Sequence, residues 1–591
     1  MKKASDRILK RSVLSVLVAA TLHIPQTMAE FTEIVTAGSI VTDETVENGT
    51  QTVQNGGKTE NTTINNGGEQ YVYGTAKDTT IYQGGLQYVR DGGSATGTTI
   101  NDGGKQTVYS GGSATNTAIN NGGTLNVSGG GNATGVQQEE GGALIASTAS
   151  GTVVKGNNAR GEFSIENGQA KNVLLENGGI LFVEGGTSAT NTTIYQGGLQ
   201  YVRDGGSATG TTINDGGKQT VYSGGSATNT AINNGGTLNV SGGGNATGVQ
   251  QEEGGALIAS TASGTVVKGN NARGEFSIEN GQAKNVLLEN GGILFVEGGT
   301  SATNTTINAG GLMQNAGEDT GTTVKSGGVY ELGRIVYGGG GGYFGTSSAS
   351  DLTVDAGGRA TVYAGTLTGA TVSGEGATLT LMTPQTETKD SDFTLSLTGN
   401  VSVTDHARLV AQRGADMSGA DLTLGSQGTL ILKGDTGCPE EGCSWTVKSL
   451  TLDNGEVAFY DTAAVSDGGY QSLTTESLSG NGNFYMHTNV AAGQGDRLVV
   501  TGTAEGSHRV YVADTGVSPA AGTDLTLVTT GGGDATFGLG NDGGVVDIGT
   551  YEYTLKKDTD NTAGNSWRLT ENVAPDTPDT PDTPDTPDTP D

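Results

Sequence analysis

The sequence predicts an all-β protein, a right-handed parallel β-helix wound from coils of about nineteen residues. Three observations predict it: glycine pairs at a fixed period, apolar residues holding one register within that period, and a composition unsuited to a globular core. Of 591 residues 104 are glycine, while 33% are hydrophobic and 16% charged. Such a chain cannot bury one large core, yet it is too regular to be disordered. A solenoid resolves this, because each coil needs only a few apolar side chains facing a shared axis.

Glycine pairs begin at Gly84, Gly103, Gly122 and Gly141; a longer unit runs to Gly178, and the spacing of nineteen returns at Gly197. Successive units read GGLQYVRDGGSATGTTIND, GGKQTVYSGGSATNTAINN and GGTLNVSGGGNATGVQQEE. Their fourth and sixth positions hold Gln87/Val89, Gln106/Val108 and Leu125/Val127, and the twelfth holds Ala95, Ala114 and Ala133. The fifteenth and seventeenth hold Thr98/Ile100 and Thr117/Ile119. This is the pattern of two short period-two strands with glycine turns between them. Stacking puts Val over Val and Ile over Ile at about 4.8 Å, with Gln87 over Gln106 as an amide ladder. A helix is excluded by the lack of a 3.6-residue period and by the glycine content.

Residues 79–194 and 192–307 are the same sequence. Duplication would wreck a globular core, but in a solenoid it inserts whole coils that touch only their neighbours. The regular repeats span 30–336, a Gly-rich loop is expected at 337–350 around GGGGGYFG, and less regular β-helix at 351–470.

At the N-terminus, Lys2, Lys3, Arg7, Lys10 and Arg11 precede a short apolar run from Val13 to Leu22. This predicts a signal peptide over 1–29, cleaved between Ala29 and Glu30. The run is too short to span a bilayer. Without it the chain has 25 basic and 61 acidic residues, a formal charge of −36. That balance argues against a nucleic-acid partner and suits an exported surface.

Near the C-terminus, Gly495–Gly502 (GDRLVVTG) and Arg509–Gly516 (RVYVADTG) resemble the autochaperone region that ends autotransporter passengers. Gly549–Leu555 and Asn565–Leu569 look like its closing strands, giving an autochaperone-like cap over 471–572. The GGxQxVxxGGSATxTxI repeats resemble those of the AIDA-I and TibA self-associating adhesins. The resemblance implies a passenger exported through its own outer-membrane β-barrel, which lies outside this sequence, and folding from the C-terminal cap outward. It also implies bacterial surface display or extracellular release, and O-heptosylation of repeat serines by a heptosyltransferase. Residues 573–591, built on Thr-Pro-Asp, are a stiff acidic linker.

Candidate sites follow from the repeats. Ser94, Ser113, Ser207 and Ser226 share one turn, and Ser110, Ser128, Ser223 and Ser241 lie near the end of the preceding strand, places that suit serine as a turn residue; the resemblance to AIDA-I and TibA implies that all eight are candidate glycosylation sites. The corner residues Asn101, Asp102, Asn120, Asn121, Asn214 and Asp215 are candidates for a self-association face. Cys438 and Cys443, in GCPEEGCSW, are expected to form a disulfide, since no second pair exists for zinc. Glu139/Glu140 and Glu252/Glu253 raise a β-helical glycosidase as the rival, but they are copies of one corner. His406, His487 and His508 read as surface or turn residues, and Asp534, Asn541, Asp542 and Asp547 lack a calcium-repeat period. No catalytic residue, cofactor or metal site is assigned. The expected function is adhesion, to identical copies on neighbouring cells and to a host surface, with a passive stalk as the other alternative.

Overall fold

The computed structural model describes residues 31–337, 340–382, 394–436, 438–439, 442–460, 469–558 and 564–572. They form two compact units that divide between Leu238 and Asn239. The signal peptide, its cleavage point at Ala29–Glu30 and the linker at 573–591 lie outside the described residues.

The first unit is a parallel β-helix. A coil contains three strands, such as Leu86–Val89, Ser94–Thr96 and Thr99–Ile100. Each pairs in parallel with its counterpart one coil on, setting Gln87 on Gln106, Ala95 on Ala114 and Ile100 on Ile119. The sequence pattern anticipates two strands; a third arises because the chain bends after Thr96. That bend is held by left-handed residues stacked in one file, Asp78, Gly97 and Asn116. Asn and Asp tolerate this conformation better than other residues with a Cβ.

The paired glycines do different things. Gly92 has φ +74° and open space around it, so its role is conformational. At Gly93 a Cβ would lie 2.0 Å from the Val72 carbonyl oxygen of the preceding coil. The first glycine turns the chain and the second lets the coils close on each other.

Inward side chains are Gln87, Val89, Ala95, Thr98 and Ile100, all buried. Their buried amides form a ladder: Gln70 donates to Gln51 (2.7 Å), Gln87 to Gln70 (2.7 Å) and Gln106 to Gln87 (2.6 Å). The threonine file joins it, with Thr98 and Thr117 donating to Gln87 and Gln106. Leu125 ends the ladder with an apolar side chain in the same file.

The long unit is one coil, not two. Ala143–Ser147 pairs directly with Ile180–Val183 on the first wall. On the second wall the chain runs out along Val153–Asn158, back along Gly161–Glu166 and out again along Gln169–Lys171. The middle strand is antiparallel to both, with Val154, Ile165 and Ala170 abreast and buried. Duplication therefore copies a hairpin inside a wall as well as plain coils.

The second unit repeats this architecture, including the hairpin at Val266–Asn271 and Gly274–Glu279. Farther on, where a loop is expected at 337–350, Arg334–Tyr337 and Gly340–Tyr343 form an antiparallel hairpin, and Ser348–Val354 already belongs to the parallel stack. Within the coils nearby, Asp319 takes a file occupied by Ala302 and Ala349. It is buried with Asn315, Thr322 and Tyr330.

Strands then lengthen, to Ser444–Ala458 and Ser472–Asn489, as walls merge into continuous ribbons. At the end the pairing changes sense. Leu525–Gly532 pairs antiparallel with Asn565–Glu571, which pairs antiparallel with Tyr551–Asp558. Tyr553, Trp567 and Leu569 are buried there, giving the last coil an apolar cover.

Candidate functional site

The coil's corners and outward wall positions carry its polar chemistry. Strand alternation turns Ser94 and Thr96 outward on either side of buried Ala95, and Ser113 and Thr115 do the same on the next coil. Ser94 lies in register with Ser113, and Ser207 with Ser226, each half-buried. Ser188 stands in the same file beneath Ser207. The selection from sequence missed it, although Ser188-Ala189-Thr190 repeats the same tripeptide. Ser110 and Ser223 are exposed at corners, while Ser128 and Ser241 are half-buried.

The six corner residues divide into two groups. Asn120 donates its side-chain amide to Asn101 at 2.9 Å, and Asn233 does the same to Asn214. These asparagines are half-buried and already bonded along the stack. Asp102, Asn121 and Asp215 are exposed. Each leans over the glycine one coil on: a Cβ at Gly122 would lie 2.0 Å from Asp102 Oδ1.

Outward aromatic side chains reinforce the first wall. Tyr71 and Tyr88 stack at 4.9 Å, and the Arg90 guanidinium lies 4.1 Å from the Tyr109 ring centre. Tyr71 donates to Glu69 at 2.7 Å, and that bond to a carboxylate pushes its hydroxyl up to about 12. The copied wall carries Phe182, Tyr201 and Tyr222, and there Arg203 pairs with Glu184 at 2.7 Å.

The acidic pairs Glu139/Glu140 and Glu252/Glu253 are exposed corner residues. Behind the first pair, burial raises the Glu176 carboxyl, while the N–H donated by Gly141 at 2.8 Å pulls the other way. Burial also pushes the Asp319 and Asp496 carboxyls up to about 7, against hydrogen bonds that each accepts. Among the described residues no three of His, Cys, Asp or Glu come together as a metal site.

Cys438 and Cys443 are joined by a disulfide, with Cα atoms 5.1 Å apart. The histidines differ from their surface reading. His406 is an exposed corner residue, but His487 is buried against Tyr460 and His508 against Phe537. Strand alternation turns His508 inward with Val510, and burial lowers its imidazole, whereas His487 alternates with inward Met486 and Thr488 and is covered on the outward face by the Tyr460 ring.

Two family models match. The one described as an adhesin of the bacterial autotransporter system, probable stalk, covers residues 155–217 and 268–328, and that of pertactin covers 447–571. Among curated proteins the chain is 48% identical over 324 residues to the probable autotransporter YpjA of Escherichia coli K12, covering 54% of this chain and 20% of that protein. It is 37% identical over 336 residues to the autotransporter adhesin/invasin TibA of E. coli O78:H11, covering 53% and 32%. The chain thus spans a third or less of either relative's length. A solved hyper-glycosylated TibA fragment, its glycosylation catalysed by TibC, aligns at 27% identity and a TM-score of 0.20, covering 67% of this chain and 97% of the fragment. With the stalk model falling on both copies of the repeat block, and YpjA and TibA each matching about half its length, the chain is similar to autotransporter passengers of the AIDA/TibA type.

Proposed function

We propose that this passenger is an adhesin displayed outside the bacterial outer membrane, binding identical copies on neighbouring cells and a host surface. The observation that carries the reading is the exact repetition of outward polar residues along the stack. Asp102, Asn121 and Asp215 recur at solvent-exposed corners beside bonded asparagine pairs. One hydrogen bond contributes about 1 kcal/mol net, so affinity comes from many coils acting together. The TibA relative is named an adhesin/invasin, which supports the same reading.

The outward serine files at Ser94–Ser113 and Ser188–Ser207–Ser226 are the surface a heptosyltransferase would modify. Export uses the protein's own outer-membrane β-barrel, with the cap at 471–572 starting the fold. The match of 447–571 to the pertactin model supports assigning that end as a unit.

A passive stalk is the second reading, favoured by the stalk model's match to 155–217 and 268–328. Deleting one 113-residue block separates the two. Sedimentation of cell suspensions is expected to slow roughly in proportion to the lost coils if the face is adhesive. Unchanged sedimentation favours the stalk.

A further inference from the structure

The hairpin inside the long coil widens the outward wall and builds an open cleft on it. On its outward face Lys155, Ser164 and Lys171 lie abreast across three strands, in the file that holds Thr134 and Thr190 on either side. Along the middle strand, alternation puts Glu162 and Glu166 on the same face as Ser164. A serine thus sits at the centre of a cross, lysines at two ends and glutamates at the others. Lys155 and Glu166 pair at 2.7 Å. Lys171 and Glu162 are exposed and form no ion pair among the described residues. Asn157, abreast of Glu162, completes the rim.

Beneath this face Gly156 lies abreast of buried Phe163, and a Cβ there would lie 2.0 Å from the Val136 carbonyl oxygen, so the hairpin packs closely on the coil before it. The cleft is a shallow, open one of about 540 Å³. The second unit holds the same cleft, about 560 Å³, around Ser277, with Lys268 and Glu279 again paired at 2.7 Å.

The geometry points to a paired binding site for neutral oligosaccharides, one cleft in each unit. Two lysines and two glutamates sum to zero, an island of balanced charge on a chain of net charge −32. An anionic ligand gains from the lysines what it loses to the glutamates and the surrounding field. A neutral polyhydroxylated ring instead finds donors in Lys155 and Lys171, acceptors in Glu162 and Glu166, and both in Asn157 and Ser164. The volume falls within the roughly 300–1,000 Å³ of small-molecule sites and suits a di- or trisaccharide. Two copies per chain, many chains per cell, give avidity to a weak contact. The inference rests on the adhesive reading and gives its host-directed part a ligand class.

The test is saturation-transfer NMR on the secreted chain with lactose, N,N′-diacetylchitobiose and mannotriose, against 3′-sialyllactose as the anionic comparator. At least one neutral sugar is expected to bind, with sialyllactose about tenfold weaker. Ser164→Tyr or Ser277→Tyr fills one cleft and should halve the signal; the double variant should lower it about tenfold. Because tyrosine could disturb the wall, Lys171→Ala with Lys284→Ala, both at exposed positions, should also weaken binding severalfold. No neutral sugar bound at millimolar concentration, or wild-type binding by both double variants, overturns the site. Cell sedimentation run in parallel keeps the two readings apart: sugar binding without sedimentation retains the cleft and removes self-association, and the reverse removes the cleft.

Discussion

The side-chain amide of Gln106 donates to the carbonyl oxygen of Gln87 at 2.6 Å, in the interior of the solenoid. Gln87 also receives Thr98 and donates to Gln70, so it is a middle rung, whereas Gln106 is the last, beneath Leu125. Gln87→Leu should therefore destabilise more than Gln106→Leu. Each buried group left unpaired costs about 1–3 kcal/mol, and the middle rung strands more of them. Amide exchange in Leu86–Val89 and Lys105–Val108 reads the difference locally, which suits a repeat array better than one global unfolding midpoint. Equal effects would mean the ladder contributes nothing beyond its separate side chains.

The two glycines of a pair should respond differently. Gly92→Asn keeps a tolerable left-handed residue in open space and is expected to cost below about 1 kcal/mol. Gly93→Ala drives a methyl into the Val72 carbonyl and should cost about 3 kcal/mol or more by forcing coils apart. Protease resistance of the first unit would rank them. The reverse order would refute the division of roles.

Asp319 predicts a pH dependence in the second unit. Burial raises its folded-state carboxyl from 3.8 to about 7, so folding favours the protonated form. The stability linked to that proton is fully present below about pH 4 and is lost as pH rises through about 7. Exchange protection of Leu312–Asn315 and Val329–Leu332 should fall over that window. Asp319→Asn, which still accepts from Thr322, should flatten the slope.

Heptosylation has a mass signature. Passenger made in cells carrying the heptosyltransferase should show whole multiples of one heptose, lost when the transferase is deleted. Replacing Ser188, Ser207 and Ser226 together should remove some of these increments. An intact mass equal to that of the bare chain would exclude modification.

Much of the fold was readable because one residue type does one job at each coil position. Glycine pairs marked corners, and the files Val89–Val108 and Ile100–Ile119 marked the interior, since alternation fixes which side chains point inward. The hairpin in the long coil was not read. Its inward residues, Val154, Ile165 and Ala170, follow the same period-two pattern as an ordinary wall, and that pattern carries no strand direction. A local clue was present: Asn167-Gly168, both left-handed, joins Gly161–Glu166 to Gln169–Lys171 as a two-residue hairpin turn. For the candidate face, sequence identified polar corners but could not distinguish Asn101, bonded to Asn120, from exposed Asp102. Likewise, nothing local marked Lys155, Ser164 and Lys171 as neighbours before the antiparallel pairing brought them together.

The identity of residues 79–194 and 192–307 has a kinetic side. A growing stack recognises an incoming coil only by its side-chain files, and here two coils far apart in the chain offer the same files. Choosing the wrong one would leave 113 residues looped out while the mispaired ladder satisfied every contact it could feel. Energy at the growing edge cannot reject that error; order of arrival can. A polypeptide emerging from one end and adding coils as they appear meets the correct copy first, so the repeat that makes length adjustable also makes the direction of folding matter.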